Sequence, residues 1–151
     1  MISKKTKYGF NALIFLAKEF HRRPVLISEL ARKEKIPQKF LEAILLELKN
    51  NGILESKRGK GGGYLLEKDP KKIYLGQVMR ILEGPLAPVA CVSQTAYRRC
   101  DECRDEHTCG LRMVMKDVRE AIANILDKTT LADVVERVKT HSKNEVEMYV
   151  I

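Results

Sequence analysis

Residues 48–66 read Leu48-Lys49-Asn50-Asn51-Gly52-Ile53-Leu54-Glu55-Ser56-Lys57-Arg58-Gly59-Lys60-Gly61-Gly62-Gly63-Tyr64-Leu65-Leu66. Asn51-Gly52 is a helix stop, since glycine supplies the left-handed conformation a helix C-terminus needs. Ile53–Lys57 then reads as a strand and Tyr64–Leu66 as its return. Between them lies a basic loop with four glycines. A tight turn needs only one or two, so four glycines beside Arg58 and Lys60 suggest a tip that comes close to another backbone. A phosphate-binding loop would need Lys-Ser/Thr after its last glycine and a helix after that. Neither follows here, so a nucleotide site is disfavoured. A purely structural turn is the plainer alternative.

Upstream, residues 37–50 predict a helix that buries Phe40, Leu41, Ile44, Leu45 and Leu48, with Pro37 in its first position. Before it, Ser28 is a candidate N-cap for a short helix over 29–35 that turns Leu30 and Ala31 inward. Residues 4–20 predict a first helix, on which Leu13, Leu16, Ala17 and Phe20 recur at helical spacing, with Tyr8, Ala12 and Phe15 alongside. His21-Arg22-Arg23-Pro24 ends it. Two short helices, a tight break and a basic hairpin are the layout of a winged helix-turn-helix. The fold expected is mainly α with a small β-hairpin wing.

Downstream, residues 74–83 predict a short helix, and Gly84-Pro85-Leu86-Ala87-Pro88 breaks the chain. Residues 110–127 form the longest helical pattern, with Leu111, Val114, Val118, Ala121 and Ile125 on one seam. Such a seam packs either on the chain's own first domain or on a second copy. Thr130 and Asp133 have the spacing of a capping box for a last helix through about Val138. The division expected is a DNA-binding domain over 1–73, a helical region over 74–139 with a cysteine-rich loop at about 88–109, and a flexible tail over 140–151.

Charge follows that division. Residues 1–73 hold 17 Lys and Arg against 8 Asp and Glu, while residues 74–151 hold 11 against 12. A basic half joined to a near-neutral one points to a polyanion partner for the first half. No run is long and apolar enough to span a bilayer, and no signal-peptide pattern opens the chain. A cytoplasmic bacterial protein without a membrane partner is the expectation. No Ser/His/Asp or Cys/His constellation supports an enzyme.

All four cysteines, Cys91, Cys100, Cys103 and Cys109, fall within nineteen residues. In a reducing compartment such clustering suggests a metal or redox role before structural disulfides. Structural zinc favours two short knuckles, and only Cys100–Cys103 forms one. Iron–sulfur clusters accept irregular gaps. Zinc and thiol–disulfide sensing stay open beside the cluster.

On DNA, the outward residues of the 37–50 helix are Gln38, Lys39 and Glu42, suited to the major groove. Glu42 can accept from cytosine N4 or simply pair with Lys39 or Lys49. Lys57, Arg58, Gly59 and Lys60 form the wing, with Arg58 suited to a narrow minor groove. Lys4, Lys5 and Lys7 are further phosphate candidates.

In order and motif, residues 1–138 resemble the Rrf-type family of bacterial winged-helix regulators, which includes IscR-, NsrR- and CymR-like proteins. The resemblance rests on 48–54, on 58–66, on Cys109 opening the long helix and on Thr130-Leu131-Ala132-Asp133-Val134-Val135. It implies a homodimer whose long helices cross, an imperfectly palindromic double-stranded DNA site, and base or groove contacts at Glu42 and Arg58. It also implies a 2Fe–2S or 4Fe–4S iron–sulfur cluster, as many members bind, with Cys91 and Cys109 matching the outer ligands. Either Cys100 or Cys103 matches the middle one. Arg112 stands where some members have a ligand histidine and cannot replace it. The surplus cysteine would then be the fourth ligand, with His107 a weaker candidate. A cluster-free repressor regulated by thiols, zinc or a partner is the alternative function; a redox enzyme or a protein-docking module is less favoured.

Overall fold

The computed structural model describes residues 2–149. In chain order its elements are α1 (Lys4–Lys18), α2 (Ile27–Glu34), α3 (Gln38–Asn50), β1 (Leu54–Lys57), β2 (Gly63–Leu66), α4 (Leu75–Leu82), α5 (Gly110–Leu126) and α6 (Leu131–Tyr149). Short 3-10 turns cover Pro70–Lys72 and Ala90–Val92.

The hairpin pairs antiparallel, from Leu54 opposite Leu66 to Lys57 opposite Gly63. Val25 adds a short third member. Its N–H donates to Tyr64 O, and the Tyr64 N–H donates back to Val25 O, both at 2.8 Å. This bridge corrects the expected start of α2. The chain leaves it extended through Leu26, which is the N-cap, and the helix begins at Ile27 without help from Ser28. Likewise Pro37 is the N-cap of α3 and not its first residue. Helix α1 stops at Lys18, two residues early, and His21 turns the chain at φ 67°.

Leu41, Ile44, Leu45 and Leu48 of α3 are buried among Leu13 and Leu16 of α1, Leu30 of α2, and Ile53, Leu54 and Leu66 of the wing. Val78 and Leu82 of α4 and Leu131 of α6 join the same core. Each such side chain contributes about 1.5–3 kcal/mol on burial. Phe40 does not join them. It is 43% exposed and meets Tyr8 edge-to-face at 5.7 Å. At 100° per residue it lies roughly 90° round the helix from the centre of the apolar stripe, on a flank the core does not reach. Helix α1 sits so close to α4 that a Cβ on Gly9 would lie 2.4 Å from Leu82 Cδ1.

Helix α5 has no buried residue. Leu111, Val114 and Ile125 of its seam are 64%, 56% and 64% exposed. The seam therefore does not pack on the chain's own first domain. Its C-terminal end is nevertheless tied down. Arg80 forms a two-pronged ion pair with Asp127, at 2.6 and 2.9 Å. Around the bridge between Tyr74 and Thr130, the Leu75 N–H donates to Thr129 O and the Leu131 N–H to Ile73 O. The capping box opens α6 as expected: the Thr130 N–H donates to Asp133 Oδ2, and the Asp133 N–H to Thr130 Oγ1.

Helix α6 does not end near Val138. It runs to Tyr149, because residues 139–149 contain no proline or glycine to stop it. Apolar spacing reports burial, and the apolar residues of this stretch, Val146, Met148 and Tyr149, are helical while exposed. The rest of the expected tail, Val150 and Ile151, lies outside the described residues. Among the described residues no helix is long and apolar enough to cross a membrane.

A carboxylate clamps the start of α1 to the end of α4. Glu83 accepts from the Ser3 N–H at 3.0 Å, from Ser3 Oγ at 2.8 Å and from Thr6 Oγ1. These donors, the Thr6 hydroxyl first, hold its pKa down to about 2 from 4.5. A depressed carboxylate stabilises the fold above its unfolded pKa, and that contribution fades as pH falls from there through about 2. Acid titration of thermal stability should therefore show a smaller loss between about pH 5 and 2 in Glu83→Gln than in the parent; equal profiles would rule the clamp out.

Candidate nucleic-acid interface and cysteine loop

The buried stripe of α3 decides what its other face can do. With Leu41, Ile44, Leu45 and Leu48 inward, Gln38, Lys39, Glu42, Ala43 and Leu46 are exposed. All lie in the first half of the helix or just past it, the part that enters a groove first in a helix-turn-helix. Glu42 pairs with neither Lys39 nor Lys49. Gln38 Nε2 reaches Glu42 Oε1 at 3.4 Å, a weak contact, and Lys49 Nζ donates to Ser56 Oγ at 2.7 Å. The Glu42 carboxylate thus keeps acceptor capacity facing outward.

At the wing tip Lys57, Arg58, Gly59 and Lys60 are all exposed. None of Lys39, Lys57, Arg58 and Lys60 has an acidic partner among the described residues. Lys5 does, being paired with Glu47, which leaves Lys4 and Lys7 as the exposed, unpaired phosphate candidates at the start of α1. The glycines have reasons inside the molecule. Gly59 and Gly61 hold φ of 87° and 79°; a Cβ on Gly62 would lie 2.2 Å from Lys57 O, and one on Gly63 2.4 Å from Val25 O. The turn and the Val25 bridge account for all four, so they need no external backbone to explain them. What they produce is a narrow tip with Arg58 and Lys60 standing clear of it.

The cysteine segment lies against α5. Cys91, Cys100, Cys103 and Cys109 all line one cavity of ≈ 390 Å³, together with Arg112. None is in a disulfide, and Cys100 is the exposed member. No three Cys, His, Asp or Glu side chains among the described residues converge to hold a single metal ion. Four thiols lining one cavity are the donor type that both zinc and an iron–sulfur core take. His107 is exposed and does not line the cavity; its N–H donates to Asp105 Oδ1 in a local turn.

Several contacts that spacing could not reveal hold this loop. The Cys103 N–H donates to Cys100 O at 3.1 Å, closing the knuckle. Arg99 Nη2 donates to Cys103 O and Arg104 O. The Tyr97 hydroxyl donates to the Glu106 carboxylate across the segment that carries Cys100 and Cys103, which pushes the phenol pKa up. Arg112 Nε donates to Cys91 O at 3.3 Å. The residue that departs from a ligand histidine is thus the one that ties the first cysteine to the long helix. No periodic or motif signal marks these partners, because each joins residues brought together by an irregular loop.

A basic wing beside an exposed polar face on α3 is a winged helix-turn-helix of the DNA-binding kind. The chain belongs to the Rrf2 family, whose model, described as an iron-dependent transcriptional regulator, matches residues 2–137. It is 39% identical over 138 residues to an Rrf2-like HTH-type regulator of Rhodobacter capsulatus, covering 89% of this chain and 92% of that one. The solved structure of CymR, titled the global cysteine regulator of Bacillus subtilis, matches with a TM-score of 0.76 at 31% identity, over 91% of this chain and 97% of that one. The structure of T. potens IscR matches with a TM-score of 0.73 at 28% identity, over 91% and 88%. The protein is a non-enzymatic regulator with a DNA-binding fold.

Exposure ranks the thiols. In reduced, metal-free protein Cys100 should be alkylated by iodoacetamide ahead of Cys91, Cys103 and Cys109, as read by peptide mass spectrometry. Equal rates at all four would contradict this arrangement of the loop.

Proposed function

We propose that the protein is a homodimeric regulator that binds an imperfectly palindromic DNA site and reports iron–sulfur cluster or redox status through its cysteine loop. The observation that carries the reading is that all four cysteines line one cavity at the foot of α5, whose apolar seam is exposed among the described residues. Two copies meeting along that seam would bury Leu111, Val114, Val118 and Ile125 and present two α3 helices, each to its own half-site. The site would lie in the cytoplasm, where the DNA is.

On DNA, Gln38, Lys39 and Glu42 of α3 would face the major groove, with Glu42 accepting from cytosine N4. Arg58 at the wing would enter the adjacent minor groove, and Lys57, Lys60 and the Gly59 backbone would lie along phosphates. In gel-shift assays Glu42→Ala should cost about 1–3 kcal/mol at its cytosine and relax preference there. Lys60→Ala should weaken all sequences alike and lower the salt slope by about one. Binding that does not change between about 50 and 200 mM salt would overturn the electrostatic part of the account.

Cys91, Cys100, Cys103 and Cys109 would hold the cluster. A bound iron–sulfur cluster supplies reversible redox chemistry and a cross-link between the four thiolates. The chain's own residues then transmit its presence. Arg112 joins Cys91 to the N-terminal half of α5, and Arg80 joins Asp127 at the other end to α4, inside the DNA-binding core. Loss of the cross-link would free the loop beside the dimer seam and alter the spacing of the two heads. A coupling of about 1–3 kcal/mol is enough for a useful switch.

A cluster-free, thiol-regulated repressor is the second reading. It is favoured by the exposed Cys100, by the lack of a convergent trio of ligands and by the similarity to CymR, whose title names it a cysteine regulator. One preparation separates the two. Protein purified anaerobically should be brown, with iron and sulfide in comparable amounts, and its affinity for its operator should differ between holo and apo forms. Colourless protein whose affinity responds to thiol oxidation would favour the second reading; equal affinity in every state would remove both.

A further inference from the structure

Beside the cysteine cavity is a second, smaller one of ≈ 140 Å³. Its walls are Cys91, Ser93 and Tyr97 on one side and Arg112, Lys116 and Arg119 of α5 on the other, with no carboxylate among them. The three cations are four and three residues apart, so they stand on one face of the helix. Like charges at this spacing repel. Lys116 has no ion-pair or hydrogen-bond partner among the described residues, and Arg112 uses only Nε, toward Cys91 O. Arg119 is partly buried, its side chain 12% exposed and its one acidic neighbour the adjacent Glu120, at 3.2 Å. Glu106 is held by Tyr97 and does not line the cavity.

We infer that this cavity is a binding site for a small oxyanion or for the carboxylate of a small organic acid. Its size suits a group of a few heavy atoms. Two guanidinium groups and an ammonium supply donors matched to planar or tetrahedral oxyanions, and the Ser93 and Tyr97 side chains border the same space. Arg119 and Ser93 also line a neighbouring cavity of ≈ 350 Å³ whose polar walls are Gln94, Thr95, Asn124, Arg80 and Glu120, into which the uncharged body of an organic acid could extend. The charge could instead serve only to balance thiolates in the adjacent cavity, in which case no added anion would bind the thiol-protonated protein.

The site shares Cys91 and Arg112 with the cysteine cavity, and it is tested in metal-free protein without DNA. Reduced, metal-free, full-length protein is titrated calorimetrically with inorganic phosphate and, separately, with succinate, against sodium chloride at matched ionic strength. Saturable binding of one of them is expected, weakened at least tenfold in Lys116→Gln, a change at an exposed position, and in Arg119→Gln. Lys128→Gln, at an exposed position in the turn after α5, should bind as the parent does. Binding by phosphate alone assigns a free oxyanion, and tighter binding by succinate assigns an organic acid. No saturable heat with either, or a loss in Lys128→Gln in place of Lys116→Gln, overturns the proposal.

Discussion

The burial of one face of α3 is the constraint on which the rest depends. Leu41, Ile44, Leu45 and Leu48 are the point where α1, α2, α4 and the wing meet. Once they are committed to the core, the opposite face can only be solvent-exposed, and its polar residues are displayed on a rigid support. The same burial positions the hairpin. Ile53 and Leu54 follow directly from the end of α3 into that core, and the Glu67 N–H donates to Ile53 O as the second strand leaves. The Val25–Tyr64 bridge then sets the wing against the segment between α1 and α2. Head and wing are therefore one rigid unit, and a shift in either would cost core packing.

A second join turns the long helix into a lever. Helix α5 buries none of its own residues, yet it is anchored at its far end by the Arg80–Asp127 pair and by the backbone bridge at Tyr74 and Thr130. Leu131, just beyond, is fully buried in the head. The near end begins at Cys109, inside the cysteine loop. On the proposed reading, a change in that loop would act on the near end of a rod whose other end is fixed in the head.

The loop itself is organised by arginines and carboxylates and has little apolar burial beyond Val92. Arg99, Arg112 and the Tyr97–Glu106 pair hold its backbone with hydrogen bonds that water can compete for. Such a segment has low local stability compared with the core. It is the part of the molecule in which a change of ligand or oxidation state would be felt first, while the head keeps its shape.

Much of the architecture was legible in the chain. The apolar stripe of α3, the Asn51-Gly52 stop, the hairpin and the capping box at Thr130 and Asp133 are local signals, set by spacing and backbone chemistry within a few residues. The errors were also local in kind. Ser28 looked like a cap because the bridge that makes Leu26 the cap involves Tyr64, 39 residues away; Phe40 looked buried because apolarity does not say where the core ends. The four cysteines announced a site by composition alone. Their assembly around one cavity, the use of Arg112 to hold Cys91, and the cationic face beside it depend on how an irregular loop lies along α5. No period encodes that path: it is decided by long-range hydrogen bonds and packing, which exist only once the helix and the loop have met.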